Sequence, residues 1–194
     1  MFTDVMVDIE TTGTNFDHNA IIQIAAVKFN YETEEVSPNF FNACLSIPPK
    51  RYWDEGTRNW WGRNPAHILK GIQANARPAE QVIREFYSWL LENYPQTESS
   101  EGLRFWGKPT HFDYSFIASY FEQYGLTNPC HYRDARDLNS FVSGLSGSAQ
   151  KVPFEKDISF EGDEHNALHD TLFQLKALFT VKGRFQSSEV IHAS

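Results

Sequence analysis

The first strand of this chain ends in two carboxylates, and no other feature of the sequence constrains the fold as much. An apolar run over residues 3–8 leads into Asp8 and Glu10, and Thr-Thr-Gly follows at 11–13. Side chains two positions apart on a strand point to the same face, so Asp8 and Glu10 are predicted to lie side by side at one end of a sheet. Two such charges repel unless a cation lies between them, and hard divalent ions prefer carboxylate oxygens. The pattern therefore indicates a metal site at a strand end, although a solvated sheet edge would give the same local sequence.

Composition restricts the classes of protein to which the chain can belong. Its 194 residues, 41% hydrophobic and 15% aromatic, suffice for one domain with a sizeable core. The formal charge of −8 argues against a protein that coats nucleic acid with a basic surface, but not against an enzyme acting on a chain end. No apolar run approaches the roughly 20 residues of a membrane span, and no leader pattern opens the sequence. Two cysteines at no zinc or disulfide spacing favour a reducing cytoplasm.

Hydrophobic periodicity and turn residues predict an α/β fold, with a single mixed sheet of five strands flanked by helices. Short connections between the first three strands favour antiparallel pairing. The predicted strands are 3–8, 20–29, 36–46, 103–106 and about 130–133. The predicted helices are 54–75 (two, around Pro65), 78–93, 113–124, 134–142 and 165–181, with a loop at 143–163. We assign residues 1–182 to one domain and 183–194 to a C-terminal tail.

Three further candidate residues lie far from the first two in sequence. Asp113 follows a strand and a tight turn and opens a helix, which places its carboxylate near a sheet end, although it could only favour the helix N-terminus electrostatically. His165 and Asp170 open the last helix, and their spacing of five gives them no common face on a regular helix. They can converge on one site if His165 sits in or just before the first turn.

Taken in order, these five residues resemble the DEDD superfamily of 3′–5′ exonucleases, in its DEDDh branch. The three motifs of that branch correspond to D-I-E-T-T-G at 8–13, H-F-D at 111–113 and H-x4-D at 165–170. Asn166 stands where the sibling branch carries a tyrosine. The resemblance implies a DnaQ-like exonuclease domain with the RNase H-like fold.

Two shorter segments narrow the resemblance. The segment 57–61 (TRNWW) and the turn at 109–113 look most like the small bacterial and phage group that includes the RNase AS type. This likeness implies RNA as the favoured substrate and a homodimer as the favoured assembly. Pro109 departs from the asparagine that many DEDDh enzymes carry there, so substrate contacts of that turn are expected to differ.

By resemblance, the five residues form the active site of a two-metal hydrolase. Asp8, Glu10, Asp113 and Asp170 are the implied ligands of two Mg²⁺ or Mn²⁺ ions. His165 is the implied general base that takes a proton from the attacking water, a role suited to an imidazole. All five are therefore the implied catalytic residues.

Substrate contacts are expected around these acids. Thr11, Thr12 and Gly13 resemble the family's seat for the terminal nucleotide, where glycine lets the backbone approach closely. Trp60 and Trp61 are neighbours on a predicted helix and point about 100° apart, so one is expected in the core and the other against a base. The complete set of predicted substrate-binding residues is Thr11, Thr12, Gly13, Phe16, Trp61 and His111.

We therefore expect a metal-dependent 3′–5′ exonuclease that hydrolyses phosphodiester bonds at single-stranded 3′ ends and releases nucleoside 5′-monophosphates. RNA is favoured, and a DNA exonuclease of the proofreading or phage-recombination type would use the same acids. A non-catalytic module that binds nucleic-acid ends is the remaining alternative, although such a module would have no need of five matched residues.

Overall fold

A mixed six-stranded sheet forms the centre of the fold. We describe it from a computed structural model that covers residues 2–63, 66–92 and 102–192, with side chains up to residue 185. The strands are β1 (Asp4–Thr11), β2 (Ile21–Phe29), β3 (Val36–Leu45), β4 (Ala76–Arg77), β5 (Arg104–Gly107) and β6 (Ala135–Asp137). Their order across the sheet is β4-β3-β2-β1-β5-β6. The first three strands pair antiparallel, and β5 pairs parallel with β1, so β1 is a central strand.

The predicted α/β fold is confirmed, but the sheet has six strands where five were expected. The additional strand, β4, has only two residues, too few for alternation to be visible in the sequence. The strand expected at about 130–133 lies at β6 instead, because Tyr132–Asp134 forms a 3-10 turn. The ring of His131 accepts a hydrogen bond from the backbone N–H of Arg133 and so caps that turn.

Six helices in the described part of the chain cover the two faces of the sheet. Their bounds are α1 (Glu55–Arg63), α2 (Ala66–Ala74), α3 (Ala79–Leu91), α4 (Thr110–Gln123), α5 (Leu138–Leu145) and α6 (Ala167–His192). On one face, Phe86 of α3 and Phe116 of α4 share a core with Val5 and Val7 of β1. On the other face, α5 and α6 bury Met6. Even-numbered positions of β1 therefore face α6, and this row includes Asp8 and Glu10.

Several helix boundaries differ from the predicted ones. α4 begins at Thr110, so Asp113 lies in its first turn rather than at its start. α6 continues to His192, beyond the predicted end at 181. Pro65, predicted to separate two helices, lies outside the described residues. The division into a domain at 1–182 and a tail at 183–194 stays a prediction.

The segment between α5 and α6 is anchored to the core. It begins at residue 146, three positions later than predicted, because α5 continues to Leu145. Phe154, in the middle of this segment, is buried in the cluster formed by α5, α6 and the sheet. None of the described helices has the combination of length and hydropathy that a bilayer crossing requires.

Candidate active site

Three carboxylates meet where α6 passes the end of β1. Asp8 and Glu10 lie on the α6 face of β1, and Asp170 lies in the first turn of α6. One carboxylate oxygen from each of the three lies within 4.8 Å of the others. All three side chains keep part of their surface accessible, as a substrate-binding site requires. Strand alternation and the start of the last helix thus bring together acids from the two ends of the domain.

Asp113 joins this cluster from α4. Its side chain is 3% exposed, and its charge interacts with those of Asp8 and Glu10. A Cβ atom at position 107 would lie 2.9 Å from Oδ2 of Asp113, so Gly107 leaves the space that the carboxylate occupies. The structure therefore places all four predicted acids in one region, although the group within 4.8 Å does not include Asp113.

The surroundings strongly disfavour the charged form of Asp8. Loss of hydration on burial raises the pKa of Asp8 most, and the negative charge of Asp170 raises it further, to about 8. The hydrogen bond from Gln174 and the charge of Lys108 lower the pKa by smaller amounts. Lys108 also forms an ion pair with Glu155. One lysine that is already paired does not compensate for the acidic cluster.

The pKa values of the other three carboxyls are also raised. Burial and neighbouring acids hold the pKa of Glu10 and that of Asp113 well above their usual ranges. Burial also raises the pKa of Asp170, although the backbone N–H of His165, 2.9 Å from its Oδ2, opposes that effect. The described side chains therefore compensate the charged forms of the four carboxyls only in small part.

Another acid on the same face of β1 behaves in the opposite way. Burial alone would raise the pKa of Asp4, but hydrogen bonds from Arg104, Trp106 and Thr3 lower it below the usual value. Arg104 and Trp106 lie 2.7 and 2.8 Å from Oδ1 of this carboxylate. The fold thus supplies several charged and polar donors to a buried acid at one end of β1 and only an amide donor to Asp8 at the other. The acidic cluster offers only carboxylate oxygens as ligands, and such a set of ligands fits a hard divalent cation.

His165 stands immediately before α6, as convergence with Asp170 requires. Its backbone has a positive φ of 65°, which turns the chain into the helix. Its ring contacts the ring of Trp60 edge to face, with centroids 4.8 Å apart. The backbone N–H of His165 thus contacts Asp170, while its ring packs against Trp60.

The Thr-Thr-Gly segment has a structural role that accounts for both hydroxyls. Thr11 donates to the carbonyl of Gly13 at 2.7 Å, and Thr12 donates to the carbonyl of Tyr52 at 2.8 Å. A Cβ atom at position 13 would lie 2.3 Å from Oδ1 of Asn19, so any other residue there would force the Asn19 side chain to move. Contact of this segment with a nucleotide stays a prediction.

The two adjacent tryptophans are placed the other way round from the prediction. Trp61 is 1% exposed and its indole N–H donates to the carbonyl of Thr11 at 3.2 Å, so its ring has no free face for a base. Trp60 is 39% exposed and contacts His165. Sequence spacing separates the two directions but does not say which faces inward, and we therefore move the stacking role to Trp60.

The remaining predicted contacts lie on accessible surface. Phe16 is 43% exposed, and its carbonyl is fixed by Arg51 and Ser119 at 2.7 and 2.9 Å. His111 is exposed in the first turn of α4, two residues before Asp113. Their roles in substrate binding stay predictions.

Two buried glutamines that the sequence did not single out contact the site residues. Gln174 donates to Oδ1 of Asp8 at 2.7 Å. Gln23 accepts from the first N–H of α6, at Ala167, and donates to the side chain of Asn166, which follows His165. The spacing of four between Asp170 and Gln174 places both on one helix face and is the signal that could have found the second.

The family of the chain follows from a match over nearly its whole length. Residues 3–181 match the model of the Rv2179c-like 3′–5′ exoribonuclease domain. The chain belongs to this family. It is thus a metal-dependent 3′–5′ exonuclease, as the sequence predicted, and its acidic cluster fits a divalent metal. No curated protein matches the chain by sequence.

Solved structures of other proteins share the fold of this chain. Pop2p of S. pombe superposes with a TM-score of 0.67 at 13% identity, over 94% of this chain and 84% of that one. Cell-death related nuclease 4 gives 0.68 at 18%, over 93% and 63%. E. coli exonuclease I gives 0.65 at 18%, over 100% of this chain and 44% of its own. This likeness confirms the RNase H-like exonuclease fold.

Replacing Asp8 by asparagine is expected to stabilise the metal-free protein at alkaline pH. A carboxyl with a raised pKa binds its proton more tightly in the folded chain, so wild-type stability falls as pH rises toward about 8. Since one pKa unit corresponds to about 1.4 kcal/mol, Asp8→Asn should raise the free energy of unfolding at pH 8 by about 2–5 kcal/mol. Urea denaturation in EDTA at pH 5 and pH 8 measures this.

Asp4→Asn is the matched control for that substitution. Its carboxyl has a lowered pKa and bonded partners, so this variant should lose stability under the same conditions. An Asp8→Asn protein less stable than wild type at pH 8 in EDTA would contradict the electrostatic account.

Proposed function

We propose that the chain removes nucleotides from single-stranded 3′ ends as nucleoside 5′-monophosphates, with RNA preferred. The observation that carries the proposal is the cluster of Asp8, Glu10, Asp113 and Asp170, with raised pKa values and uncompensated charge. The family description as an exoribonuclease domain supports RNA. Exonuclease I, which shares the fold, was solved with a dA16 oligonucleotide, so a DNA exonuclease is the second candidate.

We assign two divalent ions, Mg²⁺ or Mn²⁺, to the four carboxylates. Pop2p, which shares the fold, was solved in a form that binds both metals. When bound, such ions supply Lewis-acid activation of water and neutralise charge on the leaving oxygen. Asp8 interacts with Asp170 and with Asp113, so we assign it to both ions. Glu10 and Asp170 are assigned to one ion and Asp113 to the other.

We assign proton abstraction from the attacking water to His165. Its backbone N–H on Asp170 keeps the residue at the edge of the acid cluster, and the edge-to-face contact with Trp60 restricts the orientation of its ring. A neutral imidazole accepts a proton and later returns it to solvent. The carboxylates would hold the cations, whereas His165 would accept the proton.

Degradation of matched 5′-labelled single-stranded RNA and DNA tests the proposed function. With Mg²⁺ or Mn²⁺, we expect a ladder that shortens from the 3′ end, faster on RNA, and no cleavage in EDTA. Because metal activation lowers the activation barrier by several kcal/mol, Asp8→Asn should reduce the rate roughly 1,000-fold.

The two rival functions give different outcomes in the same assay. A faster rate on DNA would favour the DNA exonuclease. Binding of single-stranded ends by folded, metal-loaded protein without any shortening would instead favour the non-catalytic end-binding module.

Trp60→Ala is expected to weaken binding of a short single-stranded RNA. Stacking on an aromatic side chain contributes about 1–3 kcal/mol per base, so the Kd should rise about 5- to 150-fold. The measurement is fluorescence anisotropy in an Asp8→Asn background, which leaves the RNA intact. Trp60→Phe keeps an aromatic face and should retain most of the affinity, while equal affinity of Trp60→Ala and its parent would exclude stacking.

We also propose a homodimer and a cytoplasmic location. The resemblance to the RNase AS group supports the dimer, and Phe40 and Tyr52 are exposed side chains that could contribute to its interface. Sedimentation equilibrium distinguishes it from the 22.4 kDa monomer. Cys44 and Cys130 are both free thiols, which suits a reducing compartment.

A further inference from the structure

Gln174 contacts Asp8, the acid assigned to both ions. It lies one helical turn after Asp170 on α6, and its side chain is 4% exposed. Its Nε2 donates to Oδ1 of Asp8 at 2.7 Å, a short hydrogen bond to an acidic group. The central acid of the cluster is therefore held by a neutral donor.

The other end of the same amide has no partner. Oε1 of Gln174 is buried and accepts no hydrogen bond from any described residue. A buried acceptor left in this state reduces the free energy of unfolding, so packing alone would favour an apolar residue here. A flipped amide would set Oε1 against a carboxylate oxygen, so the contact with Asp8 fixes the orientation of Gln174. The side chain of Gln174 therefore contributes one hydrogen bond, from its Nε2 to Oδ1 of Asp8.

Thr171 shows what a purely structural polar contact on this helix looks like. It is adjacent to Asp170, fully buried, and donates to the backbone carbonyl of Ala167 at 2.7 Å. Its contacts go to the backbone of α6 and β2, not to a carboxylate. Gln174 lies on the same helix with similar burial but directs its donor at the acid cluster.

We propose that Gln174 is a positioning residue for the metal site, which holds the carboxylate of Asp8 in the orientation that divalent ions require. The inference rests on the proposed function, because it presupposes that Asp8 binds metal. Groups that hydrogen-bond to metal ligands fix their orientation, and loss of such a group weakens metal binding about 10- to 100-fold. Gln174 acts only through Asp8.

Calorimetric titration of the full chain with Mn²⁺ tests this role without any measurement of activity. Gln174→Met matches the length and volume of glutamine but cannot donate, and its Kd for Mn²⁺ should rise about 10- to 100-fold. Thr171→Val removes a buried hydroxyl from the same helix at nearly constant volume, and its Kd should stay within about 2-fold of wild type. If Gln174→Met does not fold, Gln174→Asn keeps the amide but is too short to reach Asp8, and the same loss is expected.

Three outcomes would overturn the assignment. A folded Gln174→Met protein that binds Mn²⁺ as tightly as wild type would show that the contact does not position Asp8. An equal loss in Thr171→Val would reduce the effect to general destabilisation of α6. If the wild-type chain itself bound no Mn²⁺, the proposed metal site would fail, and the role of Gln174 with it.

Discussion

A carboxylate withdrawn from water is unfavourable in its charged form unless a cation or hydrogen-bond donors compensate it, and several such carboxylates in one place repel one another as well. This protein gathers Asp8, Glu10, Asp113 and Asp170 at one sheet end and gives them little compensation. Strand β1 and helices α4 and α6 hold the four acids close together despite this repulsion. β1 is a central strand, and α4 and α6 each deliver one acid from a first turn.

The two ends of β1 explain why the cluster is a site rather than a defect. Asp4 is fully buried, and Arg104, Trp106 and Thr3 satisfy it. Asp8 faces the same side of the sheet but meets other acids and a single amide donor. One strand thus carries an acid whose charged form has bonded partners and an acid whose charged form is disfavoured in the metal-free chain. The family match over residues 3–181 identifies the reaction that uses this cation.

Much of this arrangement could be predicted from sequence because it rests on local rules. The alternation of β1 predicted that Asp8 and Glu10 share a face. The resemblance of the motifs to DEDDh exonucleases, rather than a local rule, predicted that Asp113 and Asp170 join them. Other features depend on tertiary packing, which leaves no local signal. The two-residue strand β4 shows no alternation, and the direction of Trp60 relative to Trp61 depends on where α1 meets the sheet. A glutamine such as Gln174 looks like any other helix residue until its partner across the site is known.

Proton release on metal binding is the measurement that tests the central claim most directly. If the cluster lacks compensation, the metal-free protein carries a proton on Asp8 near pH 7, since the pKa of Asp8 is about 8. Divalent ions bind the ionised form, so titration with Mg²⁺ or Mn²⁺ in buffers of different ionisation enthalpy should reveal release of at least about one proton per chain. Tight binding of the metal at pH 7 with no proton released would contradict the account.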